Sequence, residues 1–213
     1  DGHVGLRIVE CLARDYPQDL AVVVTQDLND ISHFAERNGV ATLVSEPDER
    51  VIDNLRAYGV ELGILAWWPR LIREPLLSSL PLGFINTHPS LLPFNRGKHY
   101  NFWAIVEQAP FGVSIHVADG GIDTGDVLAQ LPIAYDWTDT GGSLYEKAQR
   151  GMVRLFEQSY PLIRSGDYTR HPQDPRQGSH HTADELDHAS HIDLNRRYSA
   201  RELLNLLRAR TFA

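Results

Sequence analysis

The sequence predicts an α/β fold with a mostly parallel sheet, flanking helices and a small C-terminal appendage. Roughly the first hundred residues alternate between short β-rich runs and amphipathic segments, which is typical of parallel strands joined by helical crossovers. The length of 213 residues is enough for one full α/β domain and an appendage, but not for two large domains.

The predicted strands are short, and several are apolar runs such as LAVVVT. Amphipathic runs between and after the strands predict helices, although Pro75 must kink one of them or lie at its boundary. Strands are expected at residues 20–25, 41–44, 62–67, 83–87, 112–117 and 127–134, and helices at residues 30–38, 49–58, 70–80, 101–108, 143–164 and 194–211.

The two ends of the chain depart from this regular alternation. The chain opens on Asp1-Gly-His-Val-Gly5, which looks like the glycine turn that follows the first strand of such a sheet, and we expect that strand to be missing from the sequence. Residues 166–183 are rich in Pro, Gln, Gly and His without periodicity, which predicts a linker or loop. The predicted organisation is one domain over residues 1–165, this linker, and an appendage over residues 184–213 that is helical at its end.

Composition and charge argue against several classes of protein. The net charge of −8 argues against a nucleic-acid partner, because phosphate binding needs clustered Lys and Arg. No apolar run approaches the ~20 residues of a membrane span, and no export signal is recognised. The single cysteine, Cys11, excludes an internal disulfide and suits a reducing compartment. We therefore expect a cytoplasmic protein with a small or moderately sized substrate.

The histidines near the C-terminus do not predict a metal site. Zinc motifs need tighter ligand spacing than this stretch provides, so a solvated linker followed by a polar helix is the preferred interpretation. The residues concerned are His180, His181, Asp184, Asp187, His188 and His191.

The first chemical motif is the run from Phe84 to Pro93, FINTHPSLLP. Side chains alternate faces along a strand, so Asn86 and His88 point the same way where the strand enters a loop. An amide and a titratable imidazole at the carboxyl end of a strand suit a ligand site in an open α/β sheet. The alternative is a polar pair that bonds only to its own loop.

The second motif follows the predicted strand at 112–117. Residues 118–126 form a glycine-rich loop that includes Gly120, Gly121 and Asp123. Its glycines permit positive φ and a close approach of backbone to a ligand. The alternative is a hairpin connection with solvated carboxylates, for which Asp-Gly is a common sequence.

Together the two motifs resemble those of the folate-dependent formyltransferases, which include glycinamide ribonucleotide transformylase, methionyl-tRNA formyltransferase and the nucleotide-sugar N-formyltransferases. The family pattern Asn-x-His before Ser-Leu-Leu-Pro appears as Asn86-Thr-His88-Pro-Ser90-Leu-Leu-Pro93. Its acid before Thr-Gly appears as Asp123-Thr-Gly. The resemblance extends from residue 2 to about residue 166, and it implies a Rossmann-like formyltransferase fold.

The resemblance also implies a catalytic set of Asn86, His88 and Asp123. An amine attacks the formyl carbon of N10-formyltetrahydrofolate, and negative charge develops on the formyl oxygen. The Asn86 amide and a protonated His88 are suitable donors to that oxygen. Asp123 would orient His88, keep it charged, or accept the proton that the amine loses. No metal is implied.

Binding residues are carried over from the same resemblance. Trp67 and Trp68 have the alternative of being core residues, since neighbours on a strand face opposite ways. The residues expected to bind the folate co-substrate are Leu65, Ala66, Trp68, Ala118, Asp119, Gly120 and Gly121. Those expected to bind the acceptor are Ser90, Arg96, Gly97, Tyr100 and Trp103. His116 is expected to be a supporting group.

The acceptor is the least determined part of the prediction. The runs 96–105 and 203–212 look more like those of the sugar formyltransferases, which implies a dTDP- or other nucleotide-linked amino sugar, for surface polysaccharide synthesis, and a possible homodimer. Methionyl-tRNA is disfavoured, because that enzyme adds a basic tRNA-binding β-barrel for which too few residues follow. Phosphoribosylglycinamide formyltransferase is an alternative, as is a hydrolase of formyltetrahydrofolate.

Overall fold

A four-stranded mixed sheet forms the centre of the computed structural model, which describes residues 2–46, 48–174 and 176–212. The strands are β1 Val22–Thr25, β2 Ala41–Val44, β3 Gly63–Ala66, β4 Phe84–His88, β5 Arg96–Gly97, β6 Gly112–Val117, β7 Val127–Pro132 and β8 His180–His181. The helices are α1 Gly2–Asp15, α2 Asp30–Arg37, α3 Ile52–Ala57, α4 Tyr100–Glu107, α5 Gly141–Ser165, α6 Glu185–Ala189 and α7 Ala200–Ala209.

The strand order of the central sheet is β3-β4-β6-β7. β3 and β4 are parallel, whereas β6 runs antiparallel to both of its neighbours. β1 and β2 form a separate parallel pair, and β5 and β8 form another. The prediction of an α/β fold with parallel strands and flanking helices is confirmed.

A cleft of about 620 Å³ separates β1 from β3. Residues of α1, β1 and β3 line it, among them Ile8, Val23 and Ile64. The predicted glycine turn includes Asp1, which lies outside the described residues, and α1 begins at Gly2. A further strand before α1 therefore stays a prediction. Pro47, Pro175 and Ala213 also lie outside the described part of the chain. The predicted bounds of the domain, the linker and the appendage remain expectations.

The main core lies between the central sheet and helices α1, α4 and α5. α5 begins at Gly141, before residue 143, because Thr140 and Ser143 form a reciprocal capping box. Gly166 ends the helix in the left-handed conformation. The large side chains that are fully buried in this core include Ile8, Ile105, Ile115, Leu144, Met152 and Phe156.

Two helix predictions need correction. Residues 70–80 form turns rather than a helix, because Pro75 lacks an N–H and disfavours helical geometry at the residue before it. The apolar spacing serves packing instead, since Leu76 and Leu80 are buried against Phe84. The last helix begins at Ala200 rather than at residue 194, because Ser199 caps it.

The described residues 166–174 and 176–183 form no helix, and they are docked on the domain. His171 exchanges two backbone hydrogen bonds of 2.9 Å with Val127, and β8 pairs with β5. No helix in the described ranges combines the length and the apolar character that crossing a membrane requires.

Candidate active site

Strand β4 presents Asn86 and His88 on one face at its carboxyl end. β6 pairs with this strand so that His116 lies directly opposite Asn86. His88 and His116 are 5% and 2% exposed, so both imidazoles are withdrawn from bulk water. Thr87 points to the other face and bonds to the Leu65 carbonyl of β3, which fixes the strand end. The alternation of side chains along the strand therefore places the predicted pair together.

Asp123 returns from the loop after β6 to the same place. Its Oδ1 lies 3.2 Å from the amide nitrogen of Asn86 and 3.3 Å from Nδ1 of His88. The backbone N–H of Gly97 donates to Oδ2 at 2.9 Å. The three residues predicted as catalytic therefore lie in contact with one another in the fold, and their catalytic role stays a proposal. The alternative of a hairpin loop with solvated carboxylates does not describe Asp123, whose side chain is 12% exposed.

The hydrogen bonds of His116 fix the orientation of the Asn86 amide. Nδ1 of His116 lies 2.8 Å from the Val117 carbonyl, which only accepts, so Nδ1 carries the proton. Nε2 lies 3.1 Å from the Asn86 amide nitrogen, from which a neutral ring accepts, and 3.5 Å from Oδ1 of Asp123. The second N–H of that amide points to Asp123. His116 thus does more than support the strand, and its register opposite Asn86 is the signal that identifies it.

The buried charges set the protonation states of the site. Burial lowers the pKa of His88, and the nearby Asp123 carboxylate offsets this only in part. Burial acts to raise the pKa of Asp123, but His88, His116 and the Gly97 N–H outweigh it and hold that pKa well below its ordinary value. Asp123 is therefore ionised and His88 neutral near pH 7. This differs from the expectation of a protonated His88.

A neutral His88 that faces Asp123 has a defined tautomer. Its Nδ1 lies 3.3 Å from Oδ1 of Asp123, which can only accept, so we place the ring proton on Nδ1. Its Nε2 is then an acceptor, and this buried atom makes no hydrogen bond of good geometry with the described residues, although the Asn95 backbone lies close enough to the ring to favour its protonated form. Such a nitrogen can accept a proton from a bound group and return it, which is the behaviour of a general base.

The cluster forms the floor of a cleft of about 480 Å³, a size that suits a small-molecule site. Trp67 and Trp68 both line it, and Trp67 also packs partly against the main core. The other predicted binding residues that line the cleft are Leu65, Gly97, Tyr100, Ala118, Asp119 and Gly121. Apolar walls beside backbone groups of the 118–123 loop fit a flat pterin ring with polar edges.

Five predicted binding residues are not part of the described wall of this cleft. Ser90 is buried beneath the sheet, where Ser114 donates to its carbonyl. Trp103 is buried in the core, with its ring stacked on His181 at 3.6 Å between centroids. Arg96 bonds through its backbone to Ser179. Ala66 lines the cleft between β1 and β3 instead, and Gly120 belongs to the exposed loop tip.

Several residues that line the cleft were not predicted. Lys98, His99 and Tyr145 extend its wall from β5, the start of α4 and α5. His180 and His181 come from the segment predicted as a linker. Each ring nitrogen of His181 lies 2.9 Å from a carboxylate, that of Glu107 or Glu185. No group of three or more His, Cys, Asp or Glu in the described ranges is arranged to hold a metal ion.

Comparison with known proteins identifies the family. Residues 16–158 match the family described as Formyl transferase. The chain belongs to this family. Residues 185–213 also match the N-formyltransferase dimerization C-terminal domain. The resemblance inferred from the two motifs is confirmed.

Individual relatives cover the chain to different extents. A methionyl-tRNA formyltransferase from Lachnospira eligens is 28% identical over 204 residues, which are 89% of this chain but 64% of the relative. The chain therefore spans less than two thirds of the length of that relative. A sugar N-formyltransferase from a Shewanella species has the same fold, with a TM-score of 0.80 and 19% identity over 99% of this chain and 86% of that one.

A third relative has been solved with bound ligands. It is the formyltransferase PseJ from Anoxybacillus kamchatkensis, in complex with UDP-4,6-dideoxy-4-formamido-L-AltNAc and tetrahydrofolate. The TM-score is 0.63, and the identity is 27% over 78% of this chain and 87% of that one.

Proposed function

We propose that this protein moves the formyl group of N10-formyltetrahydrofolate to the amine of a nucleotide-linked amino-deoxysugar. The observation that carries the proposal is the buried cluster of Asn86, His88, His116 and Asp123 on the floor of the 480 Å³ cleft. The cluster offers an amide donor, a neutral imidazole with an acceptor nitrogen and an ionised carboxylate.

Each side chain has a defined task in this reaction. Asn86 donates an N–H to the formyl oxygen as negative charge develops there, in exchange for one of its bonds to His116 or Asp123. His88 accepts at Nε2 the proton that the amine loses as its nitrogen bonds to the formyl carbon. His88 returns this proton to N10 as the bond between carbon and N10 breaks. Asp123 stabilises the imidazolium that exists between these two transfers.

The folate co-substrate fits the side of the cleft between Leu65, Trp68 and the loop at Ala118 and Asp119. These residues combine apolar surface with backbone polar groups, which suits a heteroaromatic ring. PseJ, which is solved with tetrahydrofolate, supports this assignment by analogy. The chemistry that the co-substrate supplies is an activated formyl group, and the chain supplies orientation, proton transfer and charge stabilisation.

The choice of a nucleotide sugar as acceptor rests on similarity to known proteins and on the charges of the chain. The C-terminal match is to an N-formyltransferase dimerization domain, and PseJ is solved with a UDP-linked formamido sugar. Arg70 and Lys98 line the cleft, and cationic groups suit a diphosphate. The net charge of −8 does not favour tRNA.

The test is a panel of nucleotide-linked amino sugars incubated with N10-formyltetrahydrofolate, with product masses measured. We expect one or more sugars to gain a formyl group, and no transfer by the variant Asn86→Ala. Glycinamide ribonucleotide is tested beside these sugars. If it were the only compound to gain a formyl group, the proposed class of acceptor would be wrong. Release of formate without any acceptor would indicate a hydrolase. Failure to bind reduced folate in calorimetry would refute the proposed reaction.

Residues 185–213 are proposed to form the interface of a homodimer. Leu204 and Leu207 lie one turn apart on α7 and are 53% and 51% exposed, and Phe212 is 60% exposed. Exposed apolar groups that share one helix face are typical of interaction surfaces. The match to a dimerization domain supports a second copy of the chain as the partner.

The reaction is assigned to the cytoplasm and to the supply of formylated sugars for surface polysaccharide. The single free cysteine, Cys11, is buried, and its presence suits a reducing compartment.

A further inference from the structure

Residues 171–173 and 179–181, which are docked on the domain, reach Asp123 from two sides. On one side, the amide nitrogen of Gln173 donates to the carbonyl of Asp123 at 3.0 Å and to that of Gly125 at 2.7 Å. On the other side, β8 pairs with β5 and holds Gly97, whose N–H donates to Oδ2 of Asp123. Both contacts join residues far apart in sequence. This segment lies between the two parts of the chain that match known families.

The backbone of Asp123 needs such a restraint. Its φ of 53° lies in the left-handed region, which costs a residue with a side chain roughly 1–2 kcal/mol, although aspartate enters it more readily than most. The side-chain bonds within the loop converge on Asp119, which accepts from the Gly121 N–H and the Thr124 hydroxyl, and the Val117 N–H closes the loop on the Asp126 carbonyl. They do not fix the peptide that follows Asp123.

Gln173 holds that peptide, because its amide nitrogen donates to the carbonyls of Asp123 and Gly125, the residues on either side of Thr124. The segment itself is anchored close by, because His171 pairs with Val127 at the start of β7. The Gln173 amide is therefore held against the sheet, and the loop is held against the amide. A rotation of the Asp123 peptide out of the left-handed region would break both bonds and swing the carboxylate away from His88 and Asn86.

We propose that Gln173 is a positioning residue for Asp123, which keeps the carboxylate directed at His88 and Asn86. The role is indirect, because the Gln173 contacts are to backbone atoms of the loop. Its effect reaches the reaction only through the direction in which the Asp123 side chain points.

The test compares Gln173→Ala with Gln177→Ala, a matched control in the same segment. The Gln177 side chain is exposed, and its recorded hydrogen bond is a 3.5 Å contact with Asp174. Gln173→Glu is the second variant, because it keeps the shape but sets a carboxylate against two carbonyl acceptors. Thermal unfolding is measured for all variants to establish that they fold.

The kinetic part of the test rests on the proposed function. For Gln173→Ala and Gln173→Glu we expect kcat to fall about 10-fold or more, with both KM values within about 2-fold, because small misplacements of catalytic groups are costly. Gln177→Ala should behave like the parent. A loss of thermal stability with kcat unchanged would overturn the proposal and leave Gln173 a structural residue.

A second readout is independent of turnover. The titration of His88, followed by NMR of its labelled imidazole, reports the proximity of the Asp123 carboxylate, which favours the protonated ring. In Gln173→Ala we expect the midpoint to move to lower pH, and in Gln177→Ala to stay unchanged. An unchanged His88 midpoint in Gln173→Ala would refute the positioning role even if the parent transferred formyl to none of the acceptors tested.

Discussion

Replacement of Asp123 by asparagine is the sharpest test of the proposed proton transfer. The substitution keeps the shape of the side chain and removes its charge. The Gly97 N–H needs an acceptor at one end of the group, and Nδ1–H of His88 needs another at the other end. A carboxylate supplies both acceptors, whereas an amide supplies one acceptor and one donor. No orientation of the introduced amide satisfies both neighbours.

The orientation that keeps the bond from Gly97 directs the new NH₂ group at Nδ1 of His88. His88 then accepts at Nδ1 and carries its proton at Nε2, which is the wrong tautomer for a base at that position. The charge effect adds to this loss. At 3.3 Å and an effective dielectric constant of about 20, a carboxylate stabilises an imidazolium by about 5 kcal/mol.

Part of that stabilisation is recovered by the amide dipole, so we expect a barrier higher by about 3–4 kcal/mol. This corresponds to a fall in kcat of roughly 10²- to 10³-fold. The assay is steady-state turnover with both substrates saturating, together with NMR of the His88 tautomer. Asp126→Asn, in the same loop, is the control for the change in net charge. Turnover of Asp123→Asn within about 5-fold of the parent, or a His88 that still carries its proton at Nδ1, would refute the reasoning.

Three further predictions follow from the buried and exposed groups. The lowered pKa of Asp123 means that its carboxylate stabilises the fold above the ordinary pKa near 4, and that this contribution is lost as the pH falls further. In urea unfolding, the parent should therefore lose more stability below about pH 4 than Asp123→Asn, and parallel profiles would contradict the assignment. The Tyr100 hydroxyl is buried beside the cleft without a hydrogen-bond partner among the described residues, so Tyr100→Phe should leave the unfolding temperature unchanged or higher. The family resemblance implies that Tyr100 binds the acceptor. If its hydroxyl does so, the acceptor KM of Tyr100→Phe should rise about 10-fold, and an unchanged KM would remove Tyr100 from the site. The double variant Leu204→Glu/Leu207→Glu should be monomeric by light scattering at concentrations where the parent is dimeric, and a monomeric parent would refute the homodimer.

Local patterns in the sequence were sufficient for the six longer strands of the described residues and for half of the candidate site, but not for the two-residue strands β5 and β8. The alternation of side chains places Asn86 and His88 on one face of β4, and the structure has them there. The same reasoning failed at residues 70–80, because apolar spacing that suits a helix also suits the packing of turns when Pro75 prevents helical hydrogen bonds. The spacing of apolar residues therefore predicts which side chains are buried more directly than it predicts the conformation of the backbone.

The other half of the site depends on contacts that no local pattern encodes. Asp123 reaches His88 because a loop turns back under restraints from Gly97 and Gln173, and both restraints come from distant parts of the chain. The segment that supplies them lacks periodicity, so its composition predicts a linker. Docking of an irregular segment is determined by specific backbone hydrogen bonds, and these leave no pattern in the order of apolar residues.

The Asn86 amide shows why the complete cluster is needed. Its two N–H groups are already directed, one at His116 and one at Asp123, which lie 30 and 37 residues further along the chain. A formyl oxygen that replaces either acceptor meets an amide that does not have to reorient, and preorganised donors of this kind contribute most to lowering a barrier. If His116 were removed, the amide would lose this fixed direction even though Asn86, His88 and Asp123 were unchanged. The catalytic role proposed for the short motif on β4 therefore depends on the register between β4 and β6 as much as on the residues of the motif itself.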